Sequence, residues 1–507
     1  SESTLPKLAA EKLYIENVIA YYESKPQEII TDVNVGKFET EIKNIDLTKN
    51  AIIIEDLSLL ESKVLVHLET KSNTLNEESS ESTLNNSNPP FEWPSFQIEV
   101  ASIFLEDNKL DFRVGNSKPI KNEFNPNAIS INHLKLEADD IYLKDQSAGI
   151  ILNELDFNNS NFNLDRLKFK LVVSEKQISL ERLDLKLNNN IIQGYAELNY
   201  NGLTQLIEKP ENTRVNVNFP NFRLSIKEVF KFQPQLEENP YLVALSEKNI
   251  YGNVNASGTL ANLNIPNLDL NWGSDTKIKT KADLQNITNP EELQFNIPNL
   301  SAQTSSEDII KFVDTTGMGI SFPQKIELAA KAAGSLDDLS GELVLNTSQG
   351  SGTFKGAYQN QEMIVYDANV IIDDYKLNEL LNNPQLGTLT VTIQSNGQGT
   401  SINNMDASIN ATIDQFELNN YAINDLSIEG TLTDGNGHIL STYKDKNLNM
   451  NLDAFVVLDS IAPEVTAEID VIGADLKALG VMAREVKTGM TIYADFKGNA
   501  KKYDASA

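Results

Sequence analysis

Three histidines, His67, His133 and His438, are the only imidazoles in 507 residues, and cysteine is absent. Histidine supplies general bases and metal ligands, so spacing decides what these three can do. They lie far apart, each in a polar-alternating stretch, which reads as surface or strand-edge histidine. The lack of cysteine removes a disulfide framework, a thiolate metal site and a cysteine nucleophile. Carboxylates are plentiful, with adjacent pairs at Asp139-Asp140, Asp337-Asp338 and Asp373-Asp374. Acid–base and metal chemistry both need carboxylates that converge, but neighbours on a strand point to opposite faces. Most of these pairs therefore read as turn residues. No loop has the ligand spacing of an EF-hand. Gly317-Met318-Gly319 and Gly397-Gln398-Gly399 lack the glycine spacing and strand–helix setting of a phosphate loop. The expectation is a protein with no catalytic site, no cofactor and no metal.

The formal net charge is −30. A balance this acidic opposes nucleic-acid binding, which needs clustered Lys and Arg against phosphate. It also opposes broad docking on anionic lipid heads, and it is silent on lipid tails. No run of about 18 apolar residues is present to cross a membrane as a helix. The chain opens Ser1-Glu2-Ser3 with neither an initiator Met nor a signal-peptide pattern, and reads as a piece of something longer.

The elements available to position side chains are mostly strands. Gln177–Glu181, Leu183–Leu187, Arg214–Phe219, Leu268–Trp272 and Leu448–Leu452 alternate apolar and polar residues, which puts one side of each strand against apolar material. A second pattern spaces apolar residues as h-x-x-h-x-h. It occurs at Ile42/Ile45/Leu47, Ile54/Leu57/Leu59, Val100/Ile103/Leu105, Ile131/Leu134/Leu136, Leu152/Leu155/Phe157, Leu164/Leu167/Phe169 and Leu180/Leu183/Leu185. It recurs at Leu260/Leu263/Ile265, Ile413/Phe416/Leu418 and Ile423/Leu426/Ile428. The x-x step breaks strict alternation, so each copy implies a bulge or bend between two strand pieces. Helical sequence is limited to short stretches at Ser305–Val313, Ile226–Phe230, Leu377–Leu381 and Leu476–Ala483.

Residues 12–69 and 96–157 read as two related modules. The Ser/Asn/Glu-rich stretch 70–90 has too little apolar surface to order itself and reads as a flexible polar loop. Five glycines precede residue 250 and twenty follow, and the later strands are bracketed by them, as at Gly341–Asn346 and Gly387–Ile393. The expected organisation is a β module at 1–69, the loop at 70–90, β modules at 91–250 and glycine-bounded β modules at 251–507.

Many one-sided strands and few helices leave the apolar side in need of cover. A second sheet, closure into a barrel or solenoid, and an open trough lined for acyl chains all satisfy the pattern. A bare trough exposing about 2,000 Å² of apolar surface forgoes about 50 kcal/mol at 25 cal/mol per Å², so it needs lipid, detergent or a partner.

The second half resembles the TamB branch of the AsmA-like envelope proteins, particularly those of Bacteroidota. The likeness rests on Pro323–Leu328, on Gly334–Thr347 with Gly350, and on Leu386–Leu389 followed by Gly397 and Gly399. Phe416–Tyr421, Leu426–Gly430 and Leu458–Pro463 also fit, and Ile178–Leu185 is similar to AsmA-type units in general. The resemblance implies an all-β fold: an elongated, curled, β-taco-like trough of repeated amphipathic strands with a few short helices. It implies a periplasmic protein held by an N-terminal inner-membrane anchor outside this chain and meeting an outer-membrane TamA-type barrel. The implied role is a bridge-like groove that conducts phospholipid between the membranes in outer-membrane biogenesis. The alternative is a module for outer-membrane protein assembly and secretion, which offers sheet edges to nascent strands. A plain β-rich adhesin or scaffold with a dry core is the third reading. The residues expected to line the groove against acyl chains are Leu134, Leu136, Leu155, Phe157, Leu167, Phe169, Leu183, Leu185, Leu268, Leu270, Leu343, Leu345, Phe416 and Leu418. Lys135, Asp184 and Asp269 should face the other way.

Overall fold

The computed structural model describes residues 11–26, 28–46, 48–69, 92–313, 319–499 and 502–506. The 70–90 stretch and Leu47 lie outside the described residues, as do Gly317 and Met318. The protein is all-β: strands hold 67% of the chain and helices 9%, so sheet faces, not helices, carry its surface chemistry. It divides into two units, Ser1–Trp272 and Gly273–Ala507.

The first unit holds β1 (Lys12–Ser24), β2 (Ile29–Asp46), β3 (Ala51–Leu60), β4 (Lys63–Leu68), β5 (Gln97–Val114), β6 (Ala128–Lys144) and β7 (Ser147–Asn158). It continues with β8 (Asn163–Ser174), β9 (Gln177–Leu187), β10 (Asn190–Asn199), β11 (Arg214–Leu224), β12 (Ile250–Thr259) and β13 (Asn262–Trp272). Neighbours pair antiparallel in chain order, with one exception. β3 and β4 are two halves of one line, broken at Glu61-Ser62, that lies between β2 and β5 and runs parallel to β5.

The second unit is a meander of β14 (Thr276–Gln285), β15 (Gln294–Thr304), β16 (Ile326–Gly334), β17 (Asp338–Thr347), β18 (Gly350–Asn360), β19 (Ile364–Lys376) and β20 (Leu386–Gly399). It ends with β21 (Asp406–Leu418), β22 (Tyr421–Thr433), β23 (Asn436–Lys444), β24 (Leu448–Val457), β25 (Glu464–Asp475), β26 (Lys487–Asn499) and β27 (Lys502–Ser506). Each pairs antiparallel with the next. The helices α1 (Leu203–Glu208), α2 (Ile226–Phe230), α3 (Pro240–Ser246), α4 (Ser306–Ile309) and α5 (Leu377–Leu380) all sit in connections between strands.

Bulges occur where the h-x-x-h-x-h spacing places them. On β6, Leu136 faces Leu105 and Ile131 faces Leu110, with register shifts between. His133, in the x-x step, has φ +52°, and Asp107 opposite has φ +51°. On β9, Arg182 (φ +53°) separates Leu180, opposite Ala196, from Leu183, opposite Gly194. Asp425 (φ +59°) does the same between Ile423 and Leu426. The left-handed conformation inserts one residue and returns the next apolar side chain to the face it left. Asn and Asp tolerate that conformation best among residues with a Cβ.

Three expectations need correction. Leu260 is not in a bulged strand. It lies in the β12–β13 turn, because a tight turn flanked by apolar residues has the same spacing as a bulge. Leu476–Ala483 is a turn, not a helix: Gly480 sits at φ +69° and Val481 N–H bonds to Leu476 O at 2.9 Å. Of the adjacent aspartates only Asp337-Asp338 marks a turn. Asp139-Asp140 and Asp373-Asp374 lie inside strands, where Asp140 and Asp374 take the left-handed conformation.

Candidate functional site

Directly opposed residues on paired strands share a face, so the register can be followed from strand to strand. In the first unit one row runs Ile45, Ile52, Ile98, Leu143, Ala148, Val173, Ile178, Leu198, Val215, Gly258 and Leu263. It crosses from β2 to β13 without a charged or polar side chain. At about 4.8 Å per strand step, those ten steps make a hydrocarbon strip about 48 Å long. A second row, Ile15, Phe38, Leu59, Leu105, Leu136 and Leu155, crosses β1 to β7 on the same face. A third, Leu167, Leu185, Ile192, Phe222, Gly252 and Leu270, crosses β8 to β13. From Ile52 to Leu263 every member of the first row is half-buried.

The opposite face is charged. Lys135 pairs with Glu154 at 2.7 Å, Arg166 with Asp184 at 2.8 Å and Lys186 with Asp165 at 2.8 Å. These exposed pairs contribute little stability, but they keep that face in water.

The second unit repeats the arrangement. Thr280, Leu300, Ala330, Leu343, Phe354, Val370, Ile393, Ala411, Ile428, Ser441, Leu452, Ile469 and Ile492 form one row from β14 to β26. Beside it, Gly341 opposes Gly356. A Cβ on Gly341 would sit 2.9 Å from Lys331 O, so the backbones approach too closely there for a side chain. With Leu339, Leu343, Phe354 and Tyr358 around it, this glycine pair floors an open apolar depression of about 390 Å³.

Farther along, the same face is covered locally. Ile423, Leu426, Tyr443, Leu448, Val471 and Ala474 form a buried cluster on which Phe416, Met450, Leu476 and Leu479 pack. Leu476 and Leu479 come from the β25–β26 connection, which closes over this end. At the margin, burial and a hydrogen bond to Asp445 push Tyr421 up to about 12.

The fourteen residues expected to line a groove fall on these faces, in different settings. Leu136, Leu155, Leu167, Leu185 and Leu270 are members of the rows just traced. Leu134 faces Asn108, Phe157 faces Leu164, Phe169 faces Leu152, Leu183 faces Gly194 and Leu268 faces Val254. Leu343 and Leu345 lie between Ala330 and Phe354 and between Leu328 and Gly352. Phe416 packs on the buried cluster instead of an open surface. Leu418, at the strand end opposite Leu386 and Tyr421, is 38% exposed; the other thirteen are half-buried. Sequence reading missed Asn108, 3% exposed on the apolar face of β5. It accepts from Ser62 N–H at 2.9 Å and donates to Leu59 O at 2.7 Å, tying off the break between β3 and β4.

The histidines are dispersed. His67 Nε2 lies 2.9 Å from Gly115 O, His133 pairs with Asp107 and His438 with Asp453, the last two on exposed surface. Among the described residues no group of three or more His, Asp or Glu is placed to hold a metal ion, and no helix is long and apolar enough to cross a membrane. Comparison with known proteins finds no family model, no characterised protein and no solved structure that matches the chain.

Proposed function

We propose that the apolar face is a track for lipid acyl chains, and that the protein conducts phospholipid across the bacterial periplasm. The observation that carries this reading is the unbroken row from Ile45 to Leu263: apolar residues in register over eleven strands, half-buried from Ile52 onward, backed by a charged face. A dry core would bury such residues; water would oppose leaving them bare. Fluid alkyl chains satisfy both, because they cover hydrocarbon without demanding a fixed shape. In this reading the sheet curls into a trough around them. The strand and turn patterns shared with TamB-type sequences support a setting between an inner-membrane anchor and an outer-membrane TamA-type barrel, both beyond this chain. The chain's own part is to bind and orient acyl chains; it performs no bond chemistry.

The test is a charge placed on the track. Leu185→Asp or Leu270→Asp in an open trough leaves the carboxylate access to water, so circular dichroism stays near native. Acyl chains lose their continuous path, so co-purifying phospholipid, read by mass spectrometry, falls severalfold. A dry core would instead respond with unfolding, since an unpaired buried carboxylate costs several kcal/mol. Normal folding with undiminished lipid would sink the proposal.

A further inference from the structure

The strand β1 is unlike the others in its unit. Among the described residues it pairs only with β2, along one side. It carries large apolar residues on both faces: Leu13, Val18 and Tyr22 with the apolar rows, and Tyr14, Ile19 and Tyr21 on the otherwise charged side. Their exposures run from 41% at Val18 to 77% at Ile19. This thirteen-residue edge has no proline and carries Lys12 as its only Lys or Arg, so its protection comes down to three charges, Lys12, Glu16 and Glu23, and the irregularity at Asn17.

We infer that β1 is an interface, and that its occupant is the β1 of a second copy, paired antiparallel about a two-fold axis. The argument is self-complementarity. Glu11 O accepts from Ile42 N–H, so Glu11 turns its backbone groups toward β2 and Lys12 turns its own outward. Along a strand, residues on one face turn their backbone groups the same way. Lys12, Tyr14 and Glu16 share that face. Asn17 (φ +56°) then breaks the alternation, and Ile19, Tyr21 and Glu23 continue it. These six residues turn their N–H and C=O groups to the side away from β2.

One register pairs all of them outward to outward. Lys12 meets Glu23 of the second copy, Tyr14 meets Tyr21, and Glu16 meets Ile19, each pair occurring twice. On the other face the same register sets Leu13 against Tyr22 and Ile15 against Ala20. Opposite charges fall together at both ends, aromatic residues in the middle of each half, and apolar faces join apolar faces. Without the irregularity at Asn17 the strand would pair residues from opposite faces in this register, so the bulge is what makes it self-complementary. Glu16 against Ile19, and Asn17 against Val18 beside the axis, are its mismatches.

The intact chain should therefore form dimers at micromolar concentration by sedimentation velocity. Reversing one charge, as Lys12→Glu or Glu23→Lys, puts like charges opposite each other at both ends and should weaken dimerisation about tenfold. The double reversal restores the pairing and should return the affinity to within about threefold of the original. Amides of Tyr14, Glu16, Ile19 and Tyr21 should gain hydrogen-exchange protection as concentration rises, and those of Leu13 and Ile15 should not change. This second readout separates edge pairing from loss of folding in the single variants. A chain that stays monomeric at 100-fold higher concentration overturns the inference. So does dimerisation indifferent to the charge reversals, or not rescued by the double reversal. None of these results depends on whether the apolar face carries lipid.

Discussion

The two units solve the same problem, a long sheet with one apolar face, by different means. The first uses large aliphatic residues and bulges, with left-handed residues at Asn17, Asp107, His133, Asp140 and Arg182 inside strands. The second uses glycine and alanine, as in the row Ala332, Gly341, Gly356 and Ala368, and runs from β16 to β18 without a register shift. A bulged strand bends and gains twist, while a glycine-rich one lets strands approach closely and leaves the face shallow. The second unit closes part of its face under the β25–β26 connection, and in the first Phe157 packs on Phe162 of the β7–β8 connection, itself against Phe124 and Phe232 from other connections. Openness is thus a local property of each stretch of sheet, set by what the nearest turn brings back over it.

The largest expected contrast compares one charge in the two settings. Leu426, 8% exposed in the closed cluster, should not tolerate Asp: cooperative unfolding of the second unit is expected in a urea titration, and even Leu426→Ala should cost about 2–5 kcal/mol. Leu185→Asp in the first unit should leave the unfolding midpoint nearly unchanged. Equal destabilisation at the two sites would erase the distinction between an open and a closed stretch.

Next in size is Asn108→Ala. It leaves Ser62 N–H and Leu59 O without their partner beside a buried serine, at about 2–4 kcal/mol. Hydrogen exchange should rise first in β3 and β4, which meet at that break. Gly341→Val tests the second unit's device and should cost about 1–3 kcal/mol through the clash with Lys331 O. Denaturation that ignores this change would mean that the close strand approach is not a constraint.

The smallest effect concerns acid. Burial pushes the Asp308 carboxyl up, but the Thr276 hydroxyl and the N–H groups of Ser274, Asp275 and Thr276 outweigh it and hold the group below the usual carboxylate range. A depressed folded value contributes stability above the unfolded value, about pH 4, that is lost as pH falls through the folded value. The second unit should lose stability in that window. Asp308→Asn should flatten the profile there while lowering stability at neutral pH.

Much of this was legible in the sequence. Alternation named the strands, and the h-x-x-h-x-h spacing marked bulges at Arg182 and Asp425, where local sterics decide the backbone. The Leu260 copy misled because a turn and a bulge insert residues at the same interval. The parallel pairing of β3 and β4 with β5 left no local trace, since it depends on where the chain re-enters the sheet after the 70–90 stretch. Leu134 and Phe416 have the same spacing within their motifs, yet one faces the buried amide of Asn108 and the other packs on the cluster that Leu476 and Leu479 also cover. Cover of that kind comes from residues distant in sequence, and no periodicity encodes it.

Hairpin connectivity has a genetic consequence. In a meander each added pair of strands enters between existing turns and advances every row by about 9.6 Å, leaving the width of the face as it was. Duplication of a single hairpin of some two dozen codons, such as β17–β18, would lengthen the apolar strip by one fixed increment without disturbing any partner already in register. The length of such a strip can therefore drift in discrete steps, with selection acting on the number of hairpins and not on the details of any one.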